Sequence, residues 1–148
     1  MASVFDVGSY ILKQVGPMTA MKLQKLVYYS QAWSLVWDEA PLFTAKIKAW
    51  ANGPVVPSLY ACHRGKYTVR QTDCPGDPSA LTTKQTETVD AVISAYGDKS
   101  SQWLSDLTHA EEPWRNARIG LAPGERGNNE ITHEAMYEYY SRIASEQQ

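Results

Sequence analysis

The sequence predicts a mainly α protein: a single compact helical domain spanning residues 1–148, with five to six helices and at most a small two-stranded β element. Three observations lead there. Apolar side chains recur at three- and four-residue steps in segments that open on capping residues and close on glycine or proline. Only one stretch, 42–51, alternates, and only one other, 67–71, suits a strand. Finally, 148 residues with 43% apolar side chains, five tryptophans and nine tyrosines among them, can bury roughly 70% of the unfolded surface around one core.

Each element has its own signal. Residues 3–15 place Val4, Val7 and Ile11 on one helical face, with Ser3 as cap, Asp6 near the positive end and Gly16-Pro17 as the stop. The clearest helix runs from Thr19 to about 37 or 39, where Pro41 ends it. Its stripe is Leu23, Leu26, Val27, Ser30, Trp33 and Trp37, and Lys22, Gln24, Lys25 and Gln31 are expected mostly away from that stripe. In 42–51, Phe43, Ala45, Ile47, Ala49 and Ala51 alternate with Thr44, Lys46, Lys48 and Trp50, which predicts a strand. Asn52-Gly53-Pro54 is a turn. Pro57 suits the first turn of a helix through Leu59 and Tyr60 that stops at Gly65.

Residues 67–71 are a second candidate strand, with 47–50 as the expected partner. Pro75, Gly76, Asp77 and Pro78 make 73–79 a loop. Thr82 and Gln85 form a capping box for a helix that buries Val89, Val92, Ile93 and Tyr96 and ends at Gly97. A fifth helix over 100–108 is expected to bury Trp103, Leu104 and Leu107, and Pro113 opens one more helical turn carrying Trp114. Residues 119–130, rich in glycine and asparagine, are the internal stretch expected to be most mobile. Thr132 caps the last helix, with Ile131 and Met136 as a staple and Met136, Tyr140 and Ile143 inward. The tail, 145–148, is expected to be disordered.

The charge balance, 14 basic against 16 acidic residues, argues against a nucleic-acid partner. No apolar run reaches the roughly 18 residues of a membrane span, so no membrane partner is expected. The first ten residues lack a basic region followed by an apolar stretch. That predicts no export signal, a cytoplasmic location and free thiols at Cys62 and Cys74.

Catalytic and metal motifs are sparse. His63, His109 and His133 form no HExxH or HxH spacing, and a zinc site from Cys62, His63 and Cys74 lacks a fourth ligand. No cofactor is expected. His109 with Glu111 and Glu112 resembles an acid–base cluster, although a histidine after a helix end has a simpler electrostatic reason to be there. Trp33 and Trp37, one turn apart, suit a core stripe better than a stacking platform. No GxSxG or GxGxxG occurs, and nothing supports an enzyme.

Two stretches go further. Residues 21–33 read MKLQKLVYYSQAW, with Lys22, Leu23, Gln24, Lys25, Leu26, Tyr28, Tyr29 and Trp33. They are followed by Pro41-Leu42-Phe43, by Trp50 in Ala49-Trp50-Ala51, by Gly53-Pro54-Val55-Val56-Pro57, and by Tyr60. Downstream come Leu104 to His109 and then Pro113-Trp114. This series resembles the signature of the Panacea domain, the SocA-like antitoxin family of bacteria and phages, over about residues 4–140. The signature residues have a scaffold reading: a core stripe, a strand-to-helix turn, and Trp50 and Trp114 packed to hold that turn.

The resemblance implies a non-catalytic antitoxin that neutralises a toxin, encoded by an adjacent gene, through direct protein–protein contact in a type II-like toxin–antitoxin system, with phage defence as an expected setting. It also leaves open an adaptor that delivers the toxin to a cytosolic protease. A DNA-binding autorepressor is a third reading, needing a basic recognition helix where 21–37 offers only Lys22 and Lys25. Candidate toxin-binding residues are the polar positions around the signature turn, Lys46, Lys48, Asn52, Ser58 and Arg64, then the loop residues Glu125, Arg126 and Asn128. The oligomeric state is not legible.

Overall fold

Side-chain caps set where the helices begin. The structure, a computed structural model, describes residues 2–146. Ser3 Oγ accepts from the Asp6 N–H at 3.2 Å while the Asp6 carboxylate accepts from the Ser3 N–H at 2.9 Å, starting α1 (Val4–Val15). Strand β1 (Met18–Thr19) leads into α2 (Ala20–Trp37), where Thr19 Oγ1 accepts from the Lys22 N–H. β2 (Ile47–Trp50) and β3 (Gly53–Val55) form an antiparallel hairpin, and Pro57 opens α3 (Pro57–His63). β4 (Thr68–Val69) and two single 3-10 turns, Gln71–Asp73 and Pro78–Ala80, follow. The Thr82–Gln85 capping box starts α4 (Thr83–Tyr96). Then come α5 (Ser101–Ala110), α6 (Glu112–Ala117), β5 (Glu130–Ile131) and α7 (His133–Glu146), with Thr132 Oγ1 accepting from the Ala135 N–H.

The fold is organised around α2. Every residue from Leu23 to Leu35 is buried, so this helix needs neighbours on all sides rather than along one stripe. α1, α4, α5 and α7 pack on it, and the β2–β3 hairpin covers the remaining face. Gln24, Lys25 and Gln31, expected off the apolar stripe, are therefore fully buried. The correction has a tertiary cause: the backbone of residues 42–56 crosses that face of α2.

Further differences follow from the same packing. The described residues hold seven α-helices rather than five to six, because the turn opened by Pro113 extends into α6. The β content is also larger than one two-stranded element. β3, β2 and β5 form a three-stranded antiparallel sheet, and β1 with β4 forms a separate two-stranded ladder. Residues 68–69 pair with 18–19 and not with 47–50, since both edges of β2 are already taken by β3 and β5. Trp103, expected to be buried, is 45% exposed, while Leu104 and Thr108 carry the inner face of α5. Trp37 projects past the core and stacks on buried Trp33 with ring centroids 5.0 Å apart. α7 continues through Glu146, so the expected disordered tail is helical at 145 and 146; residues 147 and 148 lie outside the described residues.

One buried polar cluster ties α2, α6 and α7 together. Glu111 Oε1 accepts from Tyr29 Oη at 2.6 Å and Tyr140 Oη at 2.8 Å, and the hydroxyls of Tyr28 and Tyr140 lie 3.0 Å apart. Burial pushes the Glu111 carboxyl above its ordinary range, against the two phenols that favour its ionised form. Glu111→Ala removes the acceptor of two buried hydroxyls and leaves Tyr29 Oη without a partner, since Tyr140 Oη keeps only Tyr28. It is expected to destabilise by about 2–4 kcal/mol, whereas Glu111→Gln keeps an acceptor and should cost less than half as much. Equilibrium urea unfolding of both variants checks this; equal losses would mean that packing, not hydrogen bonding, holds the cluster.

Candidate functional site

The polar residues of α2 clasp the chain that crosses it. Gln31 Oε1 accepts from the Leu42 N–H at 2.7 Å, and its Nε2 donates to the Phe43 carbonyl at 2.9 Å, which satisfies a loop backbone far from water. About two turns earlier on α2, Gln24 Oε1 accepts from the Val56 N–H at 2.9 Å. Its Nε2 therefore donates to His63 Nε2, also at 2.9 Å, which requires that nitrogen to be unprotonated. Burial lowers the His63 pKa in the same sense.

Lys25 is the unusual member. Its side chain is fully buried, its Nζ has no hydrogen-bond partner, and burial pulls its pKa down from 10.5 to about 7. It lies directly beneath the signature turn. A Cβ on Gly53 would sit 2.6 Å from Lys25 Cε and 2.9 Å from Nζ, and Gly53 has φ +126°. The backbone angle requires glycine here, and a Cβ would also oblige the end of the Lys25 side chain to shift. The KLQKL block and the GPVVP block of the sequence are thus two faces of one contact.

From the other side, the turn is held by α6 and the loop after it. Trp114 Nε1 donates to the Trp50 carbonyl at 2.8 Å, and buried Arg118 donates through Nη1 to the Ala49 carbonyl at 2.9 Å. Arg118 Nη2 reaches the carbonyls of Ala122 and Glu125, which folds the loop of residues 119–129 back against the sheet. Trp50 Nε1 donates to Asn128 Oδ1 at 3.0 Å, and the Ala49 N–H to the Asn129 carbonyl at 2.8 Å. His109 stacks on Trp114 at 4.0 Å between centroids, and its Nε2 has no partner.

Between the hairpin, the start of α2, α3 and this loop lies a cleft of about 780 Å³. Met21, Trp50, Asn52, Val55, Tyr60, Arg64, Arg126 and Asn128 contribute to its lining. It gathers four of the eight candidate toxin-binding residues: Asn52, Arg64, Arg126 and Asn128, all exposed. The other four lie outside it. Lys46 is exposed 3.9 Å from Glu130, Lys48 is half-buried in β2, Ser58 is exposed on α3, and the Glu125 carboxylate caps its own loop by accepting from the Ala122 N–H at 3.1 Å. Sequence reasoning assigned Trp50 a packing role alone and gave Met21, Tyr60 and Val55 no surface role. Met21, Val55 and Tyr60 each carried a signal, their place in the signature stretches.

The acid–base reading of residues 109–112 does not fit this geometry, because Glu111 is committed to two core tyrosines while the His109 ring lies against Trp114. The histidine of the Cys62, His63 and Cys74 set is engaged by Gln24, and both cysteines are free thiols. Among the described residues no group of three or more such side chains is placed to hold a metal ion, and no helix is long and apolar enough to cross a membrane.

Residues 23–115 match the family model described as antitoxin SocA-like, Panacea domain. The chain belongs to this family. No curated protein and no solved structure matches it. The matched span of the Panacea domain runs from the first buried turn of α2 to Arg115 in α6, so it contains the whole clasp between Gln24, Lys25 and the signature turn. Arg126 and Asn128, on the loop that closes the cleft, fall beyond it.

Proposed function

We propose that this Panacea-domain protein is an antitoxin that neutralises a toxin, encoded by an adjacent gene, by binding it directly, and that the cleft beside the signature turn is the centre of the contact. The observation that supports this reading is the convergence of the two signature blocks on one rigid hairpin whose outer side opens into that cleft. Gln24, Gln31 and Arg118, the buried polar side chains that hold the crossing chain, spend most of their hydrogen bonds on backbone, which is a scaffold's use of them rather than a catalyst's. A stable complex needs roughly 800 Å² from each partner, with aromatic and arginine anchors near the centre; Trp50, Tyr60, Arg64 and Arg126 are of that kind.

Two rival readings separate from it. In an autorepressor α2 would have to enter a DNA groove, but Lys25 is buried and Lys22 Nζ donates to the Gly97 carbonyl at 2.7 Å, so α2 has no free basic face. A protease adaptor would shorten the toxin's half-life, whereas a direct neutraliser leaves it unchanged. Co-expression with the adjacent gene product is expected to restore growth while toxin levels hold steady. Absence of rescue at matched expression would contradict the antitoxin reading, and rescue accompanied by protease-dependent loss of toxin would favour the adaptor.

A further inference from the structure

The cleft does not end at Tyr60. A second cavity of about 390 Å³, bounded by Ala20, Tyr67 and the hydroxyl pair Thr19–Ser101, shares Met21 and Tyr60 with it, so the two form one groove. The halves differ in chemistry. The lining beside Tyr67 is mostly apolar, and Tyr67 is 81% exposed. The other half carries Arg64 and Arg126, and among the described residues neither forms a salt bridge. Lys66, the remaining cation of the groove, is paired with Asp73 at 2.6 Å. The chain has more acidic than basic residues, 16 against 14, yet no Asp or Glu lines either half. A carboxylate-free groove with two unpaired guanidinium groups on an acidic protein is complementary to negative charge.

The apolar half decides what kind of anion. The first turn of α2 borders the groove, but its Ala20 N–H donates to the Tyr67 carbonyl and its Lys22 N–H to Thr19 Oγ1. The groove therefore meets an anion with two side-chain cations beside ring surface rather than with the clustered free backbone N–H groups of a typical phosphate site. Trp50 already gives its N–H to Asn128, so it offers the groove aromatic area. We propose that the groove receives an extended acidic segment of a partner protein, its carboxylates meeting Arg64 and Arg126 and an aromatic or aliphatic side chain entering beside Tyr67. In the reading above that partner is the toxin. The walls are held from beneath by Gln24 and from the side by Trp114 and Arg118, so little ordering cost falls on binding.

The test has two arms. The isolated chain is titrated at low salt with a blocked peptide alternating glutamate and phenylalanine, with its lysine–phenylalanine counterpart and with GTP, followed by tryptophan fluorescence. The acidic peptide is expected to bind at least tenfold tighter than the basic one, and R64E/R126E, both surface changes verified by thermal melting, to weaken it at least tenfold. Calorimetry with the adjacent gene product should show a similar loss for R64E/R126E and none for K13E on α1. Indifference to the acidic peptide, or its displacement by GTP at the same site, overturns the assignment, as does equal toxin affinity in wild type and R64E/R126E. If the acidic peptide binds but the toxin does not, the groove assignment stands and the toxin reading falls.

Discussion

Gly53→Ala is expected to destabilise the protein by about 3 kcal/mol or more, an effect out of proportion to one added methyl group. The cost has two sources. At φ +126° an L residue is strained by about 1–3 kcal/mol. The new Cβ would also meet Lys25, 2.6 Å from its Cε, so the end of this fully buried side chain must shift, and overpacking of this kind costs about 1–3 kcal/mol. The two can be separated. In a Lys25→Ala background the steric part disappears and only the backbone strain remains, so the double-mutant cycle should show a coupling energy of about 1 kcal/mol or more. Equal costs of Gly53→Ala in both backgrounds, measured by urea unfolding, would mean that the helix and the turn do not bear on each other as described.

Lys25→Met is expected to stabilise the protein, and to do so most at and below neutral pH. The amine is held at about 7 in the folded chain and near 10.5 when unfolded. Below pH 7 both states carry the proton, and the folded state bears the full cost of an enclosed, unpaired cation, of order a few kcal/mol. Between pH 7 and 10.5 the unfolded state holds more protons than the folded one, so stability rises with pH and the cost fades. Methionine of similar length has no such dependence. The difference between variant and wild type should therefore be largest near pH 6 and shrink by pH 9. Taking that difference cancels the opposing contribution of Cys74, whose thiol burial pushes up to about 12. A difference that stays flat from pH 6 to 9 would show that Lys25 keeps its charge at all of these values.

The helices were legible because their signals are local. Ser3, Thr19, Thr82 and Thr132 act as the caps their positions suggest, and the Val89, Val92, Tyr140 and Met136 periodicities point inward as read. What the sequence hid is set by contacts distant along the chain. Gln24, Lys25 and Gln31 look like surface positions of an amphipathic helix, and only the passage of residues 42–56 over them turns them into buried clasps. The pairing of 68–69 with 18–19 depends on both edges of β2 being occupied, one of them by residues 130–131 more than 80 positions later. The site was half legible for a similar reason. Exposure and turn chemistry suggested Asn52, Arg64, Arg126 and Asn128, but the agent that brings the last two to the hairpin is Arg118, whose buried role has no local mark.

The central claim is that the buried clasp between α2 and the signature turn presents one face of the protein, the groove beside Trp50 and Tyr60, to a partner. Amide hydrogen exchange of the chain alone and in complex with the adjacent gene product tests it most directly. Protection on binding is predicted in residues 50–64 and 119–129, with α1 and α4 unchanged. Protection confined to α1 and α4, with the groove exchanging as in the free chain, would contradict it.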